Sequence, residues 1–243
     1  MSILGLIPAR YASSRFPGKP LASIRGKTMI ERVYRGAAEA SLLDDLRVAT
    51  DDPRIADACR AFGAPVEMTR SDHVTGSDRL AEVAGREPAE IVVNIQGDEP
   101  LIRGFVIDAA VDALQKARAA VMSTVAHRVP TGAEEDPNRV KVVCDLSGTA
   151  LYFSRAPIPF PRDASTAPVL QHVGLYAYQR EFLLEYAKLA PTPLETRESL
   201  EQLRVLEHGY KIQVAEISDW ESCPVDVPDD IRRVEAQLRD TSG

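Results

Sequence analysis

Arg10, Arg15 and Lys19 place three cations within ten residues of a chain whose formal net charge is −7. Clustered like charges repel, so an anionic partner makes the spacing favourable, and a polyphosphate offers the charge and the acceptor oxygens to match. Ala9, Ala12, Ser13 and Gly18, interleaved with them, are small enough for backbone N–H groups to approach such an anion closely. A solvated basic loop is the alternative that composition permits. The segment carries neither G-x-x-x-x-G-K-[ST] nor G-x-G-x-x-G, which takes support from P-loop and dinucleotide-binding readings.

Carboxylates recur far away in sequence. In Val93-Asn-Ile-Gln-Gly-Asp-Glu-Pro100 an apolar run delivers Asp98 and Glu99 to its carboxyl end, and Gly97 permits a sharp departure. A carboxylate there suits Mg²⁺, which takes oxygen ligands from one or two carboxylates and from substrate phosphates. Capping of a helix expected over 103–117 is the competing reading. A third acidic group, Val225-Asp-Val-Pro-Asp-Asp230, precedes the last helix, which Asp229 or Asp230 would cap.

Thr75-Gly-Ser-Asp-Arg79 combines two hydroxyls with a glycine that allows backbone contact, a set that suits the edge of a nucleobase; helix capping by Ser77 or Asp78 is the alternative. Arg155 can pair with a carboxylate through two nitrogens at once. His172 and Glu201 each have an ordinary structural role open to them, as a hydrogen-bonded histidine and as part of a solvated helix face.

The elements that must position these groups follow from hydrophobic periodicity. Strands are expected at 2–8, 46–50, 65–68 and 90–95, with helices at 28–40, 53–62, 77–84 and 103–117 between and after them. That alternation defines βαβ units, so an α/β fold with a mainly parallel central sheet flanked by helices. Both the basic loop and Asp98 then sit at the carboxyl edge, where open α/β sheets bind ligands. Beyond about residue 120 the pattern changes. Strands at 121–128, 139–144, 150–154 and 171–178 have few helices between them, which predicts a mixed or antiparallel extension. Helices are expected at 181–189, 195–208 and 229–238, and a strand at 211–217. The chain reads as one domain, 1–243, with no linker long enough to divide it. Prolines 157, 159, 161 and 168 mark a loop expected to move.

Composition narrows the classes further. The acidic balance argues against a nucleic-acid binder. Cys59, Cys144 and Cys223 show no zinc spacing or disulfide framework, and free thiols in a reducing compartment are the expectation. No apolar run reaches bilayer length, so neither membrane insertion nor a signal peptide is expected, and the protein is read as cytoplasmic.

The motif at 7–20, Gln96-Gly-Asp-Glu-Pro100, Leu200-Glu-Gln-Leu-Arg204 and Val225-Asp226 together resemble, in order and spacing, the 3-deoxy-manno-octulosonate cytidylyltransferases, or CMP-KDO synthetases. The resemblance covers residues 3–238 and implies that 1–120 is mainly nucleotide-binding, 121–217 mainly sugar-binding and dimerising, and 218–243 the carrier of a metal aspartate and a closing helix. It implies a nucleotide-diphospho-sugar transferase-like fold, a homodimer, and transfer of CMP from CTP to KDO with release of pyrophosphate, activating KDO for lipopolysaccharide biosynthesis. By matched position it assigns Arg10, Arg15 and Lys19 to the triphosphate and catalysis, and Asp98 and Asp226 to Mg²⁺. It further gives Ala9, Ser13, Thr75, Ser77, Arg79 and Gln96 to the nucleotide site, and Arg155, His172, Tyr176, Glu201 and Gln202 to the sugar acid. The order Thr75-Gly-Ser77 replaces the commoner Ser-Gly-Thr but keeps both hydroxyls. Ala177 stands where glycine is frequent. A cytidylyltransferase for 8-amino-KDO or another sugar acid is the alternative, since it would share the nucleotide half. A glycosyltransferase would carry Asp-x-Asp where this chain has Asp98-Glu99, and a mere nucleotide binder would not need Lys19 beside two metal carboxylates.

Overall fold

The computed structural model describes residues 1–13, 15–73, 75–162 and 168–240. The chain divides into two compact units, Met1–Asp108 with Ser222–Gly243, and Ala109–Glu221.

In the first unit, strand β1 (Ile3–Ala9) pairs in parallel with β4 (Asp45–Thr50) on one side and β6 (Ile91–Asn94) on the other, and β5 (Val66–Met68) extends the sheet beyond β4. Ile3, Leu4, Leu6 and Ile7 of β1 are all buried, as a parallel sheet covered on both faces requires. Helices α1 (Met29–Ala37), α2 (Pro53–Ala61) and α3 (Gly76–Ala84) connect these strands. In α1, Met29, Ile30, Val33 and Ala37 recur at helical spacing and are buried, while the Thr28 side chain caps the first turn by accepting from the Glu31 N–H. Helix α2 opens on Pro53, where a missing N–H is harmless, with Asp52 as its cap. A small hairpin of β2 (Ser23–Ile24) and β3 (Lys27–Thr28) was not legible as periodicity, because each strand is two residues long. Its turn residues Arg25 and Gly26 both have positive φ, 46° and 78°, the signature of a primed two-residue turn.

The chain leaves this unit within α4 (Gly104–Lys116) and returns at Ser222. The returning segment is anchored by apolar burial: Cys223, Val225 and Val234 share a core with Ile24 and Met29, and Phe16 packs against it. Helix α8 (Asp230–Asp240) closes the unit.

In the second unit, β7 (Met122–Arg128) lies between β10 (Leu170–Gln179), antiparallel to it, and β11 (Ile212–Glu216), parallel to it. Strands β8 (Lys141–Cys144) and β9 (Ala150–Ser154) form an antiparallel hairpin joined to β10. The all-parallel sheet of the first unit and the mixed strands of the second match the α/β class and the change of pattern expected from the sequence. Helix α5 (Arg180–Tyr186) follows β10.

The single helix expected over 195–208 is instead two, α6 (Pro193–Glu198) and α7 (Gln202–Glu207). Ser199 breaks it at φ 52°, and the carbonyls of Glu198 and Ser199 accept from the Arg155 guanidinium, not from helical N–H groups. Residues 163–167, at the centre of the proline-bounded loop 157–168 expected to move, lie outside the described residues.

Candidate active site

The loop after β1 is braced from within. The Gly18 N–H donates to the Tyr11 carbonyl at 2.9 Å, and the Phe16 N–H donates to Ser13 Oγ at 3.3 Å. Gly18 sits at φ 72°, and a β-carbon there would lie 3.1 Å from the Tyr11 ring, so glycine is required twice over. The Arg54 guanidinium covers the same ring at 3.3 Å, held in place by Asp52 through a 2.6 Å ion pair. Ala9 is buried at the end of β1, whereas Arg10 and Arg15 are exposed.

Lys19 points inward. Its Nζ lies 2.9 Å from Asp98 Oδ2, 2.8 Å from the Val225 carbonyl and 3.8 Å from Asp226 Oδ1. The Arg15 guanidinium reaches the same Asp226 oxygen at 3.1 Å. Asp98 and Asp226, 128 positions apart by their numbers, therefore share Lys19, and Arg15 adds a second cation at Asp226. Sheet register explains the Asp98 half: Leu6 of β1 pairs with Asn94 of β6, and the Ile95 N–H donates to the Leu6 carbonyl at 2.9 Å. A β-carbon on Gly97 would lie 3.0 Å from the Pro8 carbonyl oxygen, so the turn into Asp98 runs against the end of β1. The Asp226 half is set by Asp230, whose Oδ2 accepts from the N–H groups of Asp226 and Val227 at 2.8 and 3.0 Å. Asp230 thus braces this turn as well as opening α8.

Glu99 does not join Asp98 in this cluster. It is 6% exposed and faces the returning segment, where its Oε2 accepts from the Cys223 N–H at 3.1 Å and its Oε1 from the Ser222 hydroxyl. Burial pushes its carboxyl up to about 8 against the opposing pull of those two hydrogen bonds.

The start of α3 adjoins the same strand end, since a β-carbon on Gly76 would lie 3.4 Å from Pro8 Cγ. Capping there belongs to Thr75, whose Oγ1 accepts from the Asp78 N–H at 3.1 Å while Asp78 accepts from the Thr75 N–H at 3.0 Å. Ser77 is buried on the first turn, and Gln96 is half-buried beyond β6. Arg79 is buried with its guanidinium 3.0 Å from Asp51 Oδ1 and bonded to the Thr69 hydroxyl. It ties α3 to the ends of β4 and β5. The residues expected to bind the nucleotide are therefore gathered at the carboxyl ends of β1 and β6 and the first turn of α3.

In the second unit, His172, Tyr176 and Gln202 come together. The His172 ring stands edge-on to Phe153 at 5.0 Å and lies 5.4 Å from the Tyr176 ring, whose hydroxyl donates to Gln202 Oε1 at 3.3 Å. A bulge between Val173 and Tyr176 sets this spacing, and the buried Thr124 hydroxyl lies 3.1 and 2.7 Å from the carbonyls of Val173 and Leu175 that it exposes. His172 Nε2 and Gln202 Nε2 are both buried without a partner among the described residues. Buried polar groups are normally paired, so each of these nitrogens can take a water or a polar ligand. Burial pushes the His172 imidazole down to about 3, leaving it neutral at physiological pH.

Arg155 and Glu201 stand differently. The Arg155 guanidinium donates to the carbonyls of Glu198, Pro137 and Ser199 at 2.8, 3.0 and 3.3 Å, so the protein itself engages three of its five N–H groups. Glu201 is exposed ahead of α7, and its carbonyl accepts from the Tyr186 hydroxyl at 3.0 Å. Several supporting groups had no sequence signal. Glu198 accepts from the Ser154 hydroxyl at 2.7 Å and from the Arg155 N–H at 3.0 Å. Lys141, fully buried, donates to the carbonyls of Asp136 and Arg155 at 2.9 and 2.7 Å. Charged residues in such settings look like surface residues until the fold supplies their partners.

A parallel sheet edge carrying a cationic loop, two carboxylates and a capped helix start is the architecture of a nucleotidyltransferase. Residues 4–212 match the profile of the cytidylyltransferase family, and the chain is a member of that class. The chain is 55% identical over 249 residues to the 3-deoxy-manno-octulosonate cytidylyltransferase of Syntrophotalea carbinolica, with 98% of this chain and 99% of the relative covered. It is likewise 55% identical over 234 residues to the enzyme of that name from Solibacter usitatus, covering 96% and 92%. A solved structure of CMP:2-keto-3-deoxy-manno-octonic acid synthetase complexed with CTP superimposes at a TM-score of 0.94, with 42% identity over 99% of this chain and 100% of the other. The chain belongs to the 3-deoxy-manno-octulosonate cytidylyltransferase family.

Proposed function

We propose that the chain transfers CMP from CTP to 3-deoxy-D-manno-octulosonate, giving CMP-KDO and pyrophosphate. The observation that carries this reading is the ion cluster of Lys19, Arg15, Asp98 and Asp226 at the strand edge, in a chain so similar to these relatives over nearly its full length. The anomeric 2-hydroxyl of the sugar attacks the α-phosphorus, the bond from that phosphorus to the oxygen bridging to the β-phosphorus breaks, and pyrophosphate leaves. No covalent work falls to the protein, so catalysis rests on alignment and charge neutralisation.

Arg10, Arg15 and Lys19 bind the triphosphate and stabilise the leaving pyrophosphate. Thr75, Ser77 and Gln96 line the cytidine site with the backbone of Ala9 and Ser13, and Arg79 holds that wall in position. Asp98 and Asp226 would hold Mg²⁺. Two carboxylates that already gather around one shared ammonium, that of Lys19, are the hard oxygen donor set this ion takes when phosphates complete its shell. Bound there, Mg²⁺ supplies positive charge to the phosphate oxygens and favours the attacking oxygen as its anion. His172, Tyr176 and Gln202 recognise the sugar hydroxyls, with Glu201 beside them. The orphaned nitrogens of His172 and Gln202 support this assignment. Arg155 gives one N–H from each of its three nitrogens to the carbonyls of Glu198, Pro137 and Ser199, and the remaining two N–H groups serve the sugar carboxylate.

The working form is a homodimer in the cytoplasm. Leu146, Leu151 and Phe160 of the second unit are large apolar side chains at 110%, 61% and 83% exposure, which supports a covered face there. The unpaired Cys59, Cys144 and Cys223 support a reducing compartment. No described helix is long and apolar enough to cross a membrane.

The test is pyrophosphate release from CTP and Mg²⁺ with KDO, 8-amino-KDO and sialic acid offered separately. Release with KDO above the other two supports the reading. Release only with another acid would replace the acceptor, and none with any acid would overturn the assignment.

A further inference from the structure

Asp230 braces the turn at Asp226 locally, and a separate set of contacts ties that turn to Asp98. Asp98 and Asp226 belong to segments distant in sequence, and the returning segment lacks a strand of its own. Two links join it to the turn at Asp98. The Val225 N–H donates to the Asp98 carbonyl at 2.9 Å. Beside it, the Glu99 carboxyl takes the Cys223 N–H at 3.1 Å and the Ser222 hydroxyl. The carboxyl is almost fully buried, and removing water makes a satisfied polar contact more directional and an unsatisfied one costlier. Only Pro224 and Val225 separate the Cys223 anchor from Asp226, so that anchor acts on the carboxylate together with the Asp230 contact.

We propose that Glu99 is a positioning residue that sets the second metal carboxylate: by clamping Ser222 and Cys223 it fixes Asp226 opposite Asp98. It touches neither substrate nor metal. Partners of this kind typically control metal affinity by about 10–100-fold. The inference rests on the metal reading above, and the experiment separates the two.

The measurement is the gain in CTP affinity conferred by Mn²⁺, taken as the ratio of Kd in EDTA to Kd with the metal, for full-length protein without sugar. Thermal melting is recorded for each variant. Glu99→Ala is expected to lose at least about tenfold of that gain while its metal-free Kd for CTP stays at the wild-type value. Glu99→Gln keeps an acceptor for the Cys223 N–H and a polar partner for Ser222, so it is expected to retain most of the gain. Ser222→Ala removes one contact with little change in volume and is expected to lose part of it; this variant decides the matter if Glu99→Ala does not fold. A wild-type gain in folded Glu99→Ala or in Ser222→Ala overturns the clamp, as does an equal loss in Glu99→Gln and Glu99→Ala. Asp226→Asn serves as the reference. If it keeps the gain, the metal reading falls and takes the clamp with it; if it loses the gain while Glu99→Ala does not, the clamp alone falls.

Discussion

The ammonium of Lys19 lies 2.9 Å from the carboxylate of Asp98 and 3.8 Å from that of Asp226. A residue of the basic loop is thus the counter-ion of the carboxylates that would carry the metal under the proposed function. A polyphosphate bound by the loop would give Lys19 a stronger partner, and a metal held by the carboxylates would replace the charge they lose. Nucleotide and metal binding would then be coupled through this one side chain.

Lys19→Met and Asp98→Asn should each lower turnover by about 10²–10³-fold or more, as removal of charge stabilisation in a transition state does. Far-ultraviolet circular dichroism should remain that of the wild type. A variant with near-normal turnover would remove that residue from the mechanism. Because the two side chains are paired, the double variant should be less destabilised than the sum of the singles, a coupling that a denaturation cycle measures.

Gly18→Ala should raise KM for CTP and leave KM for the sugar acid unchanged. Left-handed backbone costs a residue with a β-carbon about 1–2 kcal/mol, and the methyl would also press on Tyr11. The loop would relieve both by shifting Lys19. Equal effects on both KM values would contradict this account of the loop.

Arg204 and Glu195 form a buried two-pronged pair, at 2.8 and 2.5 Å, and the guanidinium also lies 4.9 Å over Tyr186. Arg204→Ala strands the Glu195 carboxylate and should cost about 3–5 kcal/mol of stability. Urea denaturation measures it. Replacing both residues by leucine should recover most of the loss, because the penalty comes from the unpaired charge.

His172 gives a stability change of definite sign. Its folded value is about 3 and its ordinary value is 6.5, so between those pH values the unfolded chain binds a proton that the folded chain refuses. Stability from this residue is complete above pH 6.5, falls as pH drops toward 3, and changes no further below. The difference in urea midpoint between pH 7.5 and pH 5 should shrink in His172→Gln. An unchanged difference would mean that the imidazole titrates normally.

Tyr176→Phe removes the hydroxyl that donates to Gln202. It should raise KM for the sugar acid about tenfold, the scale of one hydrogen bond lost from a buried network, and leave KM for CTP alone. A shift in the CTP value would place Tyr176 in the wrong site.

Much of this was readable in the sequence, and the reason is local. Strand β1, the basic loop and the turn at Asp98 are each encoded within a few residues, by an apolar run and the small or charged residues that end it. The hairpin at 23–28 was not, because its strands are too short to show a period, and neither was the break at Ser199, which depends on Arg155 from a different element. The engaged guanidiniums of Arg79 and Arg155 and the clamp at Glu99 are likewise products of distant contacts. A lone sequence shows an arginine or a glutamate at such positions, never its partner.

The most direct test of the central claim is phosphorus NMR of CTP, Mg²⁺ and KDO incubated with the protein. The account predicts that the three CTP resonances give way to equal amounts of pyrophosphate and a single CMP ester. Formation of CDP with a phosphorylated sugar or free phosphate would place the attack on the γ-phosphorus and contradict it.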